Sequence, residues 1–163
     1  MPILNKDPYA LDKKTKRMVD VAIDDYYFTL ERKAKLDKEI EKYDYETLKV
    51  TKYDSIVVSR TNAIYRAAEN AAIDITDKRR ERDELKVKVD AIDRGIARAA
   101  NTSFRLDRVE ALRLDLISNM LNKTPRYAFD RDSRTMANYR KKAYYFIAEE
   151  LGYVKPRYPY PNE

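Results

Sequence analysis

The chain of 163 residues sets 34 Lys and Arg against 28 Asp and Glu, a formal charge of +6, and contains two Gly, six Pro and no Cys, His or Trp. So few backbone breakers in so polar a chain predict helices rather than a turn-rich β fold. The missing Cys and His exclude thiol nucleophiles, disulfides, Cys/His zinc sites and His-dependent triads.

Two Gly, Gly95 and Gly152, cannot build a phosphate-cradling loop. The acid pairs Asp24–Asp25, Asp74/Asp77 and Asp90/Asp93 lack the Gly-bearing loop of a Ca²⁺ site. The expectation is therefore a chain without catalytic residues, metal or cofactor. No apolar run approaches the roughly 20 residues of a bilayer span. The polar start, residues 1–20, lacks the apolar stretch of a signal peptide. A soluble, cytoplasmic protein with no membrane partner is expected.

Residues 1–10 carry two prolines and read as a lead-in that orders on contact. A helix is expected from Leu11 to about Tyr45. Val19, Ile23, Tyr26 and Leu30 form one stripe, and Leu36, Ile40 and Tyr43 repeat it one register later, a stutter. From Tyr45 to Ser59 the period is lost. The β-branched run at 55–58 predicts a loop or brief extended stretch, with Ser59 or Thr61 placed to cap a second helix.

That second helix carries the clearest pattern. Ile64, Ala68, Ala71, Ile75, Lys78, Arg82, Leu85, Val89, Ile92, Ile96 and Ala99 recur at alternating spacings of four and three, and nine of these eleven positions are apolar. A helix of about 40 residues, roughly 60 Å long, cannot bury such a seam alone. It needs the first helix folded back on it, a second copy, or both. Lys78 and Arg82 interrupt the seam and are expected to snorkel outward or to pair across it.

Asn101–Thr102–Ser103 marks a boundary, and Leu106, Val109, Leu112, Leu116 and Leu121 outline a short amphipathic helix. Asn122 to Pro125 breaks it. Ser133 then opens a last helix that ends near Leu151 at Gly152. On a helical wheel Met136, Tyr139, Ala143, Phe146, Ile147 and Leu151 share one side. Arg134, Asn138, Lys141 and Tyr145 share the other, with Lys142 near its margin. From Lys123 to Lys142 seven basic residues meet two acids. Guanidinium, carboxamide and ammonium groups on one helical face are the readers of base edges and phosphates in a major groove.

The stretch SRTMANYRKKAYYFIAEELGY (133–153) resembles the recognition helix of the phage late-gene transcriptional activators of the RinA-like/ArpU-like family. Residues 55–99 are similar to the charged helical arm of these regulators of Gram-positive phages and prophages. The resemblance implies a coiled-coil arm over residues 1–100, a helix-turn-helix domain like sigma-factor region 4 over 101–154, and a Pro/Tyr-rich tail over 155–163. It implies DNA contacts from Ser133, Arg134, Thr135, Asn138, Lys141 and Lys142, to which the basic window adds Arg126 and Arg131 as candidates. One departure concerns residues 124–132, too short and too Pro-broken for a regular positioning helix.

The resulting expectation is an all-α, non-enzymatic transcriptional regulator acting in the cytoplasm of a bacterial host. It would bind double-stranded DNA as a homodimer, with the arm meeting RNA polymerase or another protein. The competing expectation is a coiled-coil assembly or packaging adaptor of a phage, small-terminase-like or structural.

Overall fold

The computed structural model describes residues 7–53, 62–124 and 133–156, without the side chains of 47–53 and 62–65. All regular structure among the described residues is helical. The elements are α1 (Lys13–Asp24), α2 (Tyr26–Tyr53), α3 (Asn62–Asn101), a 3-10 turn (Leu106–Arg108), α4 (Val109–Met120) and α5 (Ser133–Glu150). The chain groups into two compact units, residues 28–87 and residues 1–27 with 88–163.

Two boundaries differ from the sequence expectation. The first helix does not run unbroken from Leu11. It stops at Asp24, and Asp25 keeps helical dihedrals while its N–H bonds to Val21 O at 3.0 Å. The break falls inside the first apolar stripe, between Ile23 and Tyr26, while the stutter between Leu30 and Leu36 lies within the unbroken helix α2. The far end of the pattern also differs, because α2 continues past Tyr45 to Tyr53. Residues 45–53 contain neither Gly nor Pro, and a helix already propagated through several turns needs little to add another. The expected loop or extended stretch at 55–58 lies outside the described residues.

Within the unit of residues 28–87, Leu36, Ile40 and Ile75 are the buried apolar side chains among those described. Ile75 is a seam position, and Leu85 is half-buried, whereas Ala68 and Ala71 of the same stripe are exposed. Ile64 lies outside the described side chains. A set of ion pairs links α2 to α3 beside these side chains. Arg32 grips Glu81 with two nitrogens, at 2.8 and 3.2 Å. Lys78 bridges Glu39 at 3.0 Å and Asp74 at 3.1 Å; Arg79 reaches Asp44 at 2.6 Å, and Arg82 reaches Asp37 at 3.7 Å. The two charged seam residues are thus held by acids of α2. Partly exposed pairs of this kind are each worth about 0–1 kcal/mol, so their arrangement sets register more than stability.

The unit of residues 1–27 and 88–163 holds the larger core. Val19 and Ile23 of α1, Val89, Ile92, Ile96, Ala99 and Ala100 of α3, Leu112, Leu116 and Met120 of α4, and Met136, Ala143, Ile147 and Ala148 of α5 form one cluster. Here the seam expected on α3 is buried at Val89, Ile92 and Ile96. Helix α3 and helix α5 cross at Gly95, where a Cβ would stand 2.4 Å from Ile147 Cγ1 and 2.7 Å from its backbone nitrogen. Beside the crossing Arg98 donates to Glu149 at 2.9 Å and to Glu150 at 3.0 Å, and Arg94 lies 3.3 Å from Glu150. Two acids in the last turn of α5 oppose the helix dipole, and the arginines of α3 offset them.

Helix α5 ends as its sequence predicts. Gly152 takes φ +78°, its N–H bonds to Glu149 O, and Tyr153 N–H bonds back to Ala148 O at 2.8 Å. This is the paired capping pattern that a left-handed glycine makes possible.

Replacing Gly95 by alanine should lower stability by about 1–3 kcal/mol through overpacking, although Ala in an open helix would add up to ~1 kcal/mol. Urea unfolding measures it, and a midpoint that stays or rises would contradict the close crossing.

Candidate nucleic-acid interface

Helix α5 is fixed from the inside. Met136, Ala143, Ile147 and Ala148 are buried, and Tyr139, Tyr144 and Phe146 pack at the margin of the core. The first two turns present Ser133, Arg134 and Asn138 to solvent, with Thr135 half-buried beside them. Of these, Arg134 and Asn138 are residues the helical wheel placed on the polar side, while Ser133 and Thr135 come from the family resemblance. Arg126 and Arg131 lie outside the described residues, and so does the segment 125–132 in which a positioning helix was in question.

The next two turns differ. Lys141 is exposed but ion-paired with Asp7. Lys142 is half-buried; its Nζ lies 3.3 Å from Thr102 Oγ1, 5.1 Å from the centre of the Tyr139 ring and 5.6 Å from that of Tyr9. Tyr145, assigned by the wheel to the open side, is only 6% exposed. The covering element is the segment 7–11. Asp7 Oδ1 accepts the Tyr9 N–H at 3.0 Å, and its carbonyl accepts the Ala10 N–H at 3.1 Å, a tight turn around Pro8. The turn lays Tyr9 edge-on against Tyr145 at 5.6 Å and Phe146 at 5.7 Å. A wheel treats a helix in isolation and cannot anticipate a remote segment on its polar side. The Asp7–Pro8 turn dipeptide was the available local signal.

Between this segment, α1 and α5 lies a half-open groove of about 530 Å³, lined by Tyr9, Leu11, Lys16, Arg140, Lys141 and Tyr144 among others. Tyr144 spans it, donating its hydroxyl to the Asp20 carboxylate of α1. Burial pushes the Tyr144 phenol above its usual range, and the Asp20 bond adds to the shift. Tyr26 is raised in the same way, by burial and by its 2.8 Å bond to Asp93. The neutral phenols therefore pin α1 to α5 and the start of α2 to α3. The groove offers cations over an apolar floor, an arrangement suited to phosphates or other anions.

No protein-family model, curated protein or solved structure matches the chain.

The two phenols generate a pH expectation. A tyrosine raised in the folded state contributes stability that is whole below the usual value of 10.0 and is lost as pH climbs beyond it. An alkaline titration followed by phenolate absorbance should show a late step after the other tyrosines. The double variant Tyr26→Phe, Tyr144→Phe should lack it. A parent protein in which every tyrosine titrates in one ordinary step would contradict both hydrogen bonds.

Proposed function

We propose that the chain is a sequence-specific double-stranded DNA-binding transcriptional regulator, an activator of phage late genes of the kind its sequence resembles, without enzymatic activity. It works in the cytoplasm of a bacterial host. Helix α5 enters the major groove and α4, packed against it, braces the entry as the first helix of a helix-turn-helix does. The observation that carries this reading is the exposure of Ser133, Arg134 and Asn138 on the opening turns of a helix whose opposite side is core. Recognition helices of this class touch base edges with their N-terminal residues. Arg134 supplies a fork for guanine and Asn138 a carboxamide for adenine. Lys141 and Lys142 contribute to phosphate binding from behind the Asp7–Tyr9 segment.

The arm in this reading is an antiparallel hairpin of α2 and α3. Support comes from the order of the ion pairs, with Arg32 meeting Glu81 and, further along α2, Asp44 meeting Arg79. The arm sets a homodimer or meets RNA polymerase. A second reading, a coiled-coil assembly or packaging adaptor of a phage, is favoured by exposed Ala68 and Ala71 on the stripe and by Ile73, 57% exposed nearby. Light scattering separates the two, because a large discrete ring belongs to an adaptor and a monomer or dimer that retards DNA belongs to a regulator.

Fragments selected from genomic DNA by the purified protein supply the target site. On that site Arg134→Ala and Asn138→Ala should each weaken binding by about 1–3 kcal/mol, the worth of a bidentate base contact, with helix content unchanged. Absence of any duplex binding at low salt would end the regulator reading.

A further inference from the structure

The first turns of α1 read Lys13–Lys14–Thr15–Lys16–Arg17, and all four cations are exposed. Among the described residues none of the four has an acid within ion-pairing distance. Many cations elsewhere are paired; among the described residues Lys38, Lys86, Lys88 and Arg105 also lack an ion pair, but only α1 sets four such cations within five consecutive positions. Lys33 and Lys35 are paired with acids along α2; Lys78, Arg79 and Arg82 with acids of α2; Arg98 with acids of α5. The cations of α1 also sit at the wrong end of their helix. No acid lies in its first turn, and the Asp12 side chain makes no capping bond. Positive side chains there are repelled by the helix dipole. A local rule broken with no compensation among the described residues marks a surface that an outside partner completes.

The position of the cluster identifies the partner. Lys16 lines the same groove as Arg140 and Lys141 of α5. Lys13, Lys14 and Arg17 line the adjoining face with Met18 and Val21. The cationic surface of α1 is thus continuous with the helix proposed to read bases. An anionic membrane fits less well, because Val19 and Ile23 of α1 are spent in the core and Met18 and Val21 alone leave only a small apolar patch to insert.

We infer that Lys13, Lys14, Lys16 and Arg17, with Arg140, form a second, sequence-independent interface that holds the phosphate backbone of double-stranded DNA beside α5. This inference rests on the DNA-binding reading and adds to it a phosphate clamp on a helix remote in sequence. Such contacts fix the position of the protein on the duplex and carry no base information. Their signature is salt dependence, since each neutralised phosphate contributes about 0.9 to the slope of log K against log salt.

The test compares the full-length parent with the variant Lys13→Gln, Lys14→Gln, Lys16→Gln, Arg17→Gln on a labelled duplex of arbitrary sequence, across a salt series. The variant should bind at least about tenfold more weakly at low salt and lose roughly 2–4 from the slope. Its thermal midpoint should stay or rise, because the charges removed oppose the dipole. Equal slope and affinity in the two proteins, with Arg134→Ala still impaired, would overturn the clamp and leave the DNA reading standing. A parent that binds no duplex at low salt would overturn both. Vesicles of phosphatidylserine and phosphatidylcholine form the last arm. Loss of vesicle binding with duplex binding intact would assign the cluster to a membrane and overturn the clamp.

Discussion

The crossing at Gly95 governs the surface of α5. With a missing side chain on α3 and Ile147 seated in the gap, the two helices meet close to backbone contact, and α5 can neither rotate nor slide without a clash. The arginines Arg94 and Arg98 hold the same end of α5 through Glu149 and Glu150. Once Ile147 points inward, the rest of the helix is determined. Asn138 precedes it by nine residues, which at 100° per residue places it about half a turn away, facing outward. The face available to a partner is therefore a consequence of packing at the opposite end of the helix.

Charge is distributed by a different logic. The excess of +6 is small, and composition alone does not say where it resides. Pairing does. The long helices α2 and α3 consume much of their charge on one another, where half-exposed bridges set register at little energetic gain. The cations at the opening of α1 have no ion pair among the described residues. A protein that bound anions through bulk charge would show no such partition. The partition favours one local surface, built from α1 and α5, within a single compact unit.

A feature is legible in the sequence when the interactions behind it are local. The stripe on α3 is legible because Val89, Ile92 and Ile96 repeat along one helix, and the end of α5 is legible because Gly152 supplies the positive φ that terminates it. Lys78 and Arg82 announce themselves as charges on an apolar seam, and acids of α2 meet them. The features that escape are non-local. The break at Asp25 interrupts one continuous apolar stripe, between Ile23 and Tyr26, so periodicity carries no sign of it. The burial of Tyr145 depends on Tyr9, 136 positions earlier in the chain. The cationic start of α1 looks like an ordinary solvated face until the pairs made by many other cations show how dense its four unpaired charges are among the described residues. Of the candidate contacts, Arg134 and Asn138 are placed in the open by periodicity alone, while Lys141 and Lys142 need the covering segment to be understood.

That segment constrains how α5 could meet a duplex. Asp7 already provides Lys141 with a carboxylate, and Tyr9 holds the Lys142 ammonium over its ring, so both cations are oriented and partly satisfied before any partner arrives. A phosphate approaching Lys141 must displace Asp7 or share the cation with it, and like charges make sharing unfavourable. The neighbouring cations Lys16 and Arg140 face no such competitor among the described residues. The proposed complex is thus expected to divide its labour along the helix. The turn from Ser133 to Asn138 approaches base edges, Lys16 and Arg140 take the backbone first, and Lys141 joins them only where a phosphate displaces Asp7. In this arrangement the covering turn is a structural partner of the reading helix, and removing its acid would release one more cation toward the DNA rather than take one away.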